Sequence, residues 1–138
     1  MNYSQQDFAA AVADWGGGAG VDIALDTVGG EVFRRTIPTV AHYGDLVTLL
    51  EPGADCGWKE ARLRNLRIGF VLMLTPMLRD LGAARARQGE ILDICADWCE
   101  QGRLTIDVGA VLPLAAAAEA HRLIEQGHTR GKLVLDIG

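Results

Sequence analysis

A glycine turn after an apolar run is the first feature with a chemical use. Residues 21–31 read VDIALDTVGGE, so the apolar run ends in Asp26, Thr27, Val28, Gly29 and Gly30. Glycines let a ligand approach the backbone closely, and the threonine adds a hydroxyl. Ligands of open α/β sheets bind outside the carboxyl ends of the strands, so the pattern indicates a ligand-binding turn. The alternative is a glycine turn that only begins the next helix.

A second apolar run, DLVTLL, ends at Leu49 and Leu50 and is followed by Glu51, Pro52 and Gly53. The backbone groups at this predicted strand end splay apart and could contact a ligand. The stretch is a second, weaker candidate for a ligand-binding turn.

No catalytic or metal-binding set is visible in the sequence. Cys95 and Cys99 are four residues apart on a predicted helix, but no third ligand follows at zinc spacing, so they are predicted to be buried structural thiols. Cys56 is predicted to be incidental in a loop. The three histidines are His42, His121 and His128; His121 is predicted to have a packed or partly exposed role within a helix, and His42 and His128 to cap carbonyls near helix ends.

Alternating helices and strands must position these residues. Predicted helices cover residues 4–15, 31–40, 58–65, 84–101 and 113–127, and predicted strands cover residues 21–25, 45–50, 66–74, 104–108 and 132–137. Ser4 is predicted to cap the first helix, and Pro38 predicts a kink, or a helix that changes course, near Thr36. The alternation predicts an α/β fold with a mainly parallel sheet flanked by helices. GGGAG, residues 16–20, precedes a strand and is not a phosphate loop, which follows one.

Composition restricts the class of protein. The 138 residues are 49% hydrophobic, which is enough for a core, and the net charge of −5 argues against nucleic acid and anionic membranes as partners. No apolar stretch approaches the roughly 20 residues of a membrane span, and the first residues lack a signal peptide pattern. Three cysteines, an odd number, predict reduced thiols in a cytoplasm.

Several stretches together resemble the medium-chain dehydrogenase/reductase superfamily, in its quinone oxidoreductase and zinc-binding alcohol dehydrogenase-like branch. They are NYSQQDF, GVDIALDTVGGEVF, YGDLVTLL, RIGFVLML and LPLAAAAEAHRLIEQGHTRGKLVLDIG. The resemblance is to the C-terminal portion of such an enzyme. It implies a partial Rossmann-type, doubly wound parallel sheet that lacks the first strands and the glycine-rich loop. Residues 1–75 would be the second half of a nucleotide-binding domain, and residues 76–138 would return to the catalytic domain.

The resemblance also implies a cofactor site. Its strands at residues 21–27, 45–50 and 66–74 would be the fourth, fifth and sixth of a six-stranded sheet. Asp26, Thr27, Val28 and Gly29 would flank the adenosine side of NAD or NADP, and Leu49 and Leu50 would lie by the nicotinamide ribose and ring. Leu72 and Met73 would approach the carboxamide, and Lys132 would reach the cofactor or the domain interface. No catalytic residue or metal ligand is implied within this chain.

The implied activity is NAD(P)H-dependent hydride transfer, to a quinone or enone or between an alcohol and a carbonyl. The chain would supply half of the cofactor cleft and be inactive alone, and a homodimer would join at the 66–74 edge strand. Two alternatives stay open. A non-catalytic dimerisation module predicts a stable dimer without cofactor, and one half of a split enzyme predicts an exposed apolar surface on the first strand.

Overall fold

The computed structural model describes residues 2 and 5–138. The chain divides into two compact units, Met1–Asp80 and Leu81–Gly138. Within the described residues, no helix is both long and apolar enough to cross a membrane.

The first unit is a three-stranded parallel sheet with helices between the strands. Its elements are α1 (Phe8–Trp15), β1 (Val21–Asp26), α2 (Gly30–Thr36), a 3-10 turn (Ile37–Thr39), β2 (Val40–Thr48), α3 (Trp58–Leu63), β3 (Arg67–Phe70) and α4 (Thr75–Leu78). The strand order is β1-β2-β3, so the middle strand pairs in parallel with both neighbours. The α/β class with a parallel sheet is confirmed.

The core of this unit lies where α2, α3 and the 3-10 turn meet β2. Its buried residues are Phe33, Ile37, Val40, Leu46, Cys56 and Ala61. Phe33 also meets the Trp58 ring edge to face, with 5.9 Å between ring centroids. Cys56 lies in a loop, as predicted, but it is not incidental, since its side chain is buried among these apolar groups.

The first helix begins later than predicted. Asp7 is the N-cap, and its carboxylate accepts a hydrogen bond of 2.9 Å from the Ala10 amide. Ser4, the predicted cap, lies outside the described residues. Asp7 also pairs with Arg35 of α2, and the Arg35 guanidinium stacks over Phe8 at 4.9 Å, so α1 is fixed to α2.

The second helix changes course after Thr36, which was one of the two outcomes predicted from Pro38, and the kink did not form. The α-helix stops at Thr36, a single 3-10 turn holds Pro38, and Val40 already begins β2. A proline has no amide hydrogen to continue the helical ladder. The predicted helix over residues 31–40 is therefore too long, and the predicted strand over residues 45–50 begins too late and extends past Thr48.

The third strand is much shorter than the predicted strand over residues 66–74. Only Arg67–Phe70 are in β3, because Phe70 pairs with Thr48, the last residue of β2. The Val71 amide still donates to the Thr48 carbonyl at 3.0 Å. Beyond that point β2 offers no further strand backbone, and the chain continues into α4.

The second unit contains α5 (Gly82–Glu100), β4 (Val108–Pro113), a 3-10 turn (Leu114–Ala116), α6 (Ala117–Glu125) and β5 (Lys132–Asp136). The two strands pair in parallel. The strand predicted at residues 104–108 is displaced, because the pairing with β5 starts at Val108 and continues to Pro113. Helix α5 has no buried residue, so Cys95 and Cys99 are half-exposed and not the buried thiols predicted from sequence.

Candidate functional site

The three strands of the first unit end in one row. Asp26, Thr48 and Phe70 are register partners across the sheet, and each is the last residue of its strand. Parallel strands bring their carboxyl ends to one edge, so the loops that follow begin side by side. We call residues 26–30 and 48–51 the rim.

Asp26 holds the first rim loop through its carboxylate. It is only 3% exposed. Oδ1 accepts from the Val28 amide at 3.1 Å and from the Gly29 amide at 3.0 Å, and Oδ2 lies 3.1 Å from the same Gly29 amide. An aspartate that accepts from amides two and three residues ahead fixes a tight turn. Asp26 therefore faces its own loop, and Thr27 and Val28 are left exposed.

Thr48 links this loop to the second one. Its hydroxyl lies 2.7 Å from Asp26 Oδ2 and 2.9 Å from the Leu50 carbonyl, both of which accept, and it accepts from the Leu50 amide at 3.2 Å. The residue is 1% exposed. Sequence reasoning did not single out Thr48, although a threonine inside the apolar run DLVTLL was the available signal.

Gly29 lets the two loops touch. Its φ of +76° lies in the left-handed region, and a Cβ there would come within 2.7 Å of the Glu51 carbonyl oxygen. The next amide, that of Gly30, donates to that same carbonyl at 3.2 Å. A residue with a side chain would push the loops apart, so glycine is required here by geometry.

A groove of about 330 Å³ opens beside the ends of β2 and β3. It is lined by Thr48, Leu49, Leu50, Glu51, Phe70, Val71 and Leu72. Three of the residues predicted to line a cofactor cleft, Leu49, Leu50 and Leu72, therefore surround one space. The walls are mainly apolar, with polar backbone at the strand ends, which is the usual make-up of a small-molecule pocket.

A second cavity of about 280 Å³ lies on the β1 side of the rim. Asp26, Thr27 and Val28 line it together with side chains of α1, β1, α2 and the 3-10 turn, namely Phe8, Val12, Val21, Ala24, Leu25, Val32, Thr36 and Thr39. The two groups of predicted residues in the first unit thus lie at neighbouring openings, joined by the Asp26–Thr48 hydrogen bond.

Two predicted residues are placed differently. Met73 follows Leu72 in the segment after β3 and is exposed. Lys132 belongs to the second unit, where it is the exposed first residue of β5 and its amide donates to the Asp107 carbonyl at 2.7 Å. Its role at a cofactor stays a prediction.

Charged residues next to the rim pair with each other. Glu31, in the first turn of α2, accepts from Arg34 Nε at 2.7 Å. This hydrogen bond holds the pKa of the Glu31 carboxyl below its usual value and raises the pKa of Arg34. Both side chains are exposed, so the pair is a solvated surface feature.

The comparisons with known proteins agree with the fold. The family model described as "Zinc-binding dehydrogenase" matches residues 1–135. The chain belongs to this family.

Individual proteins similar to this chain are much longer than it is. It is 24% identical over 143 residues to "Quinone oxidoreductase-like protein 2" of Bos taurus, covering 99% of this chain and 39% of the relative. It is 30% identical to a solved "NAD-dependent alcohol dehydrogenase", with a TM-score of 0.73, covering 100% of this chain and 37% of the other. An alcohol dehydrogenase superfamily protein of Novosphingobium aromaticivorans shares the fold at 21% identity, with a TM-score of 0.83, covering 97% and 41%. The chain thus spans about two fifths of the length of each of these three relatives.

The family description names zinc, but the residues described here do not fit a zinc site. Among residues 2 and 5–138, no three His, Cys, Asp or Glu side chains lie close enough to hold a metal ion. Cys95 and Cys99 would supply two thiolates at most, and a zinc site takes three or four protein ligands.

Proposed function

We propose that this chain forms one half of the nicotinamide-cofactor cleft of an NAD(P)H-dependent oxidoreductase, which reduces a quinone or enone or interconverts an alcohol and a carbonyl. The observation that carries the proposal is the row of strand ends Asp26, Thr48 and Phe70 with an apolar groove beside it. Membership of the dehydrogenase family supports the reaction class.

The rim and the groove beside it have separate proposed tasks. The cofactor supplies the hydride, and the protein binds and orients it. Leu49, Leu50 and Leu72 give an apolar wall that fits a nicotinamide ring and its ribose and excludes water. Thr27 and Val28, exposed at the β1 end, fit the adenosine side. We assign no general acid, base or metal to this chain.

The affinity of the chain alone is expected to be low. The sequence has no Gly-x-Gly-x-x-Gly, the loop whose amides bind the dinucleotide pyrophosphate. We therefore expect contacts to the ring ends of the cofactor and a dissociation constant of about 1 mM or weaker, which corresponds to about −4 kcal/mol.

The experiment is a titration of the labelled chain with NADPH, and separately NADH, followed by amide chemical shifts. Saturable shifts at residues 27–29 and 49–50 are expected. Leu50→Glu should abolish them, because a carboxylate would enter the apolar groove. Leu63→Glu is the matched control, since Leu63 is an equally exposed leucine on α3 (65% against 52%). Shifts that avoid the rim, or that both variants reduce equally, would refute the proposed site.

An unpaired strand edge supports the idea that this half cleft is completed by further strands. Strand β1 pairs only with β2 among the described residues. Its side chains Ile23 and Leu25 are 70% and 63% exposed. The unpaired edge fits further strands, and the apolar side chains fit further elements that cover them. Both could be supplied by more of the same polypeptide or by a separate one. Recovery of reductase activity on mixing with a complementary polypeptide would identify the second case.

A homodimer joined at the β3 edge is the second candidate. Strand β3 is the other edge of the sheet, and the exposed apolar residues Phe70, Val71, Leu72, Met73 and Leu74 begin at its end. Exposed apolar edges favour pairing between chains. Sedimentation without cofactor should detect a dimer that Phe70→Lys weakens and Leu63→Lys does not. A monomer at every concentration would rule this candidate out.

The thiols bear on the compartment. Cys56, Cys95 and Cys99 are all free. Reduced thiols are usual in a reducing compartment, and we propose the cytoplasm.

A further inference from the structure

The Asp26–Thr48 contact joins two loops that are 22 residues apart in sequence. We propose that Thr48 is a positioning residue: through Asp26 and Leu50 its hydroxyl sets the two rim loops relative to each other. Thr48 also lines the groove, but its hydroxyl is engaged by these loop groups, so its proposed action on a bound cofactor is through the loops. The meaning for catalysis rests on the proposed function, whereas the positioning itself can be tested without any ligand.

The hydrogen-bond count at Thr48 supports this role. One hydroxyl proton lies between two acceptors, Asp26 Oδ2 at 2.7 Å and the Leu50 carbonyl at 2.9 Å, while the oxygen accepts from the Leu50 amide at 3.2 Å. The hydroxyl therefore contacts its own loop on two sides and the neighbouring loop on the third. A buried group with this many partners is costly to remove, because the partners lose hydrogen bonds that water cannot replace.

Asp26 passes the constraint to the first loop. Both of its oxygens lie within hydrogen-bond distance of the Gly29 amide, and one also accepts from the Val28 amide. The next amide, that of Gly30, donates to the Glu51 carbonyl of the second loop at 3.2 Å. The result is a closed circuit, which runs from Thr48 to Asp26, through the Gly29–Gly30 turn to Glu51, and back to the loop where it began. Two loops joined at both ends of such a circuit cannot shift independently.

Hydrogen exchange of single amides tests the role in the full chain. In Thr48→Val, which keeps the shape and removes the hydroxyl, the Gly29 and Leu50 amides should exchange about tenfold faster relative to the Val47 amide of β2. Thr48→Ser should keep the protection of these amides, because it keeps the hydroxyl. The matched control is Thr39→Val: Thr39 is also buried, and its hydroxyl donates to the Thr36 carbonyl at 2.7 Å away from the rim. In Thr39→Val, the exchange of the Gly29 and Leu50 amides relative to the Val47 amide should be the same as in the unaltered chain.

Several outcomes would overturn the inference. One is that the Gly29 and Leu50 amides of Thr48→Val exchange no faster relative to the Val47 amide than in the unaltered chain. A second is that Thr39→Val speeds their exchange as much as Thr48→Val does. A third is that Thr48→Ser loses their protection. A measurement on the unaltered chain covers the case in which Thr48→Val does not fold. The Gly29 amide should be protected like the central strand, and rapid exchange there would contradict the circuit.

The cofactor titration separates this inference from the proposed function. The control for binding is Ile37→Val, which shortens a buried side chain that lines neither cavity. If NADPH or NADH binds at the rim, Thr48→Val should weaken that binding about tenfold more than Ile37→Val does. If neither nucleotide binds, the proposed function fails and the exchange result still decides the positioning role. If binding occurs and both variants weaken it equally, positioning by Thr48 is refuted.

Discussion

At the scale of single residues, the rim depends on a glycine that no other residue can replace without cost. Gly29 has φ +76°, and a Cβ would meet the Glu51 carbonyl oxygen at 2.7 Å, a backbone atom that cannot rotate away. Gly30 is the matched neighbour, because it has φ +52° and open space where a Cβ would lie.

We therefore expect Gly29→Ala to lower the free energy of unfolding by about 2 kcal/mol or more, because a clash adds to the strain of a left-handed residue. Gly30→Ala carries the strain alone, about 1 kcal/mol. Urea unfolding of both variants measures the difference. Equal losses would mean that the Glu51 loop yields freely and that the two loops are not in firm contact.

The sequence predicted which residues of the first rim loop matter, but not what they contact. Asp26 and Gly29 stand at the end of an apolar run and were predicted to flank a ligand. The structure turns the Asp26 carboxylate toward its own loop and toward Thr48. That partner depends on the register of β1 against β2, which sequence spacing does not give. A side chain's neighbours on its own loop can be predicted, but its cross-strand partner cannot.

At the scale of elements, the alternation of helices and strands was predicted well and their ends poorly. Three of the signals are local: the apolar runs of β1 and β2, and the helical spacing of apolar residues in α1. All three elements form. The ends depend on neighbours. Strand β3 stops at Phe70 because β2 stops at Thr48, and β4 starts at Val108 because β5 pairs from there. No local pattern carries that information.

The pairing of β2 with β3 begins at an ion pair that gives a pH-dependent prediction. Asp45 and Arg67 are register partners, and Arg67 Nε donates to Asp45 Oδ1 at 2.7 Å. This hydrogen bond holds the pKa of Asp45 below its ordinary 3.8. A lowered pKa in the folded state stabilises the fold above the unfolded-state pKa, and the stabilisation disappears as pH falls through the folded-state pKa.

Asp45→Asn should therefore be slightly less stable than the unaltered chain at neutral pH. The two should become equal as the pH falls below the ordinary 3.8 of that carboxyl. Urea midpoints measured across the acid range test this, with Asp22→Asn, an exposed carboxylate on β1, as the control. High salt should shrink the neutral-pH difference, because the pair is exposed. A difference that persists in strong acid would show that the asparagine acts through something other than the ion pair.

At the scale of the whole molecule, the buried core is unevenly distributed between the two units. The core cluster of Phe33, Ile37, Val40, Leu46, Cys56 and Ala61 belongs to the first unit. In the second unit, Ala120 is the only hydrophobic residue counted as buried among those described. Apolar residues recur along α5 at Ile91, Leu92, Ile94 and Trp98, which predicts an inward face, yet that helix buries none of its residues. An apolar stripe indicates that a face needs a partner and does not indicate where the partner comes from.

This distribution predicts that the second unit loses its structure before the first. Buried apolar area is the main source of stability, so a unit with a single small buried side chain has little to oppose its chain entropy. The tryptophans allow a direct test, because Trp58 packs on Phe33 in the first unit and Trp98 stacks under Arg103 in the second at 5.2 Å. Two single-tryptophan proteins, Trp15→Phe with Trp98→Phe and Trp15→Phe with Trp58→Phe, would each report one unit. The Trp98 signal should change at a lower urea concentration than the Trp58 signal, and the gap should be independent of protein concentration. Coincident transitions would mean that the two units unfold cooperatively and would contradict this prediction.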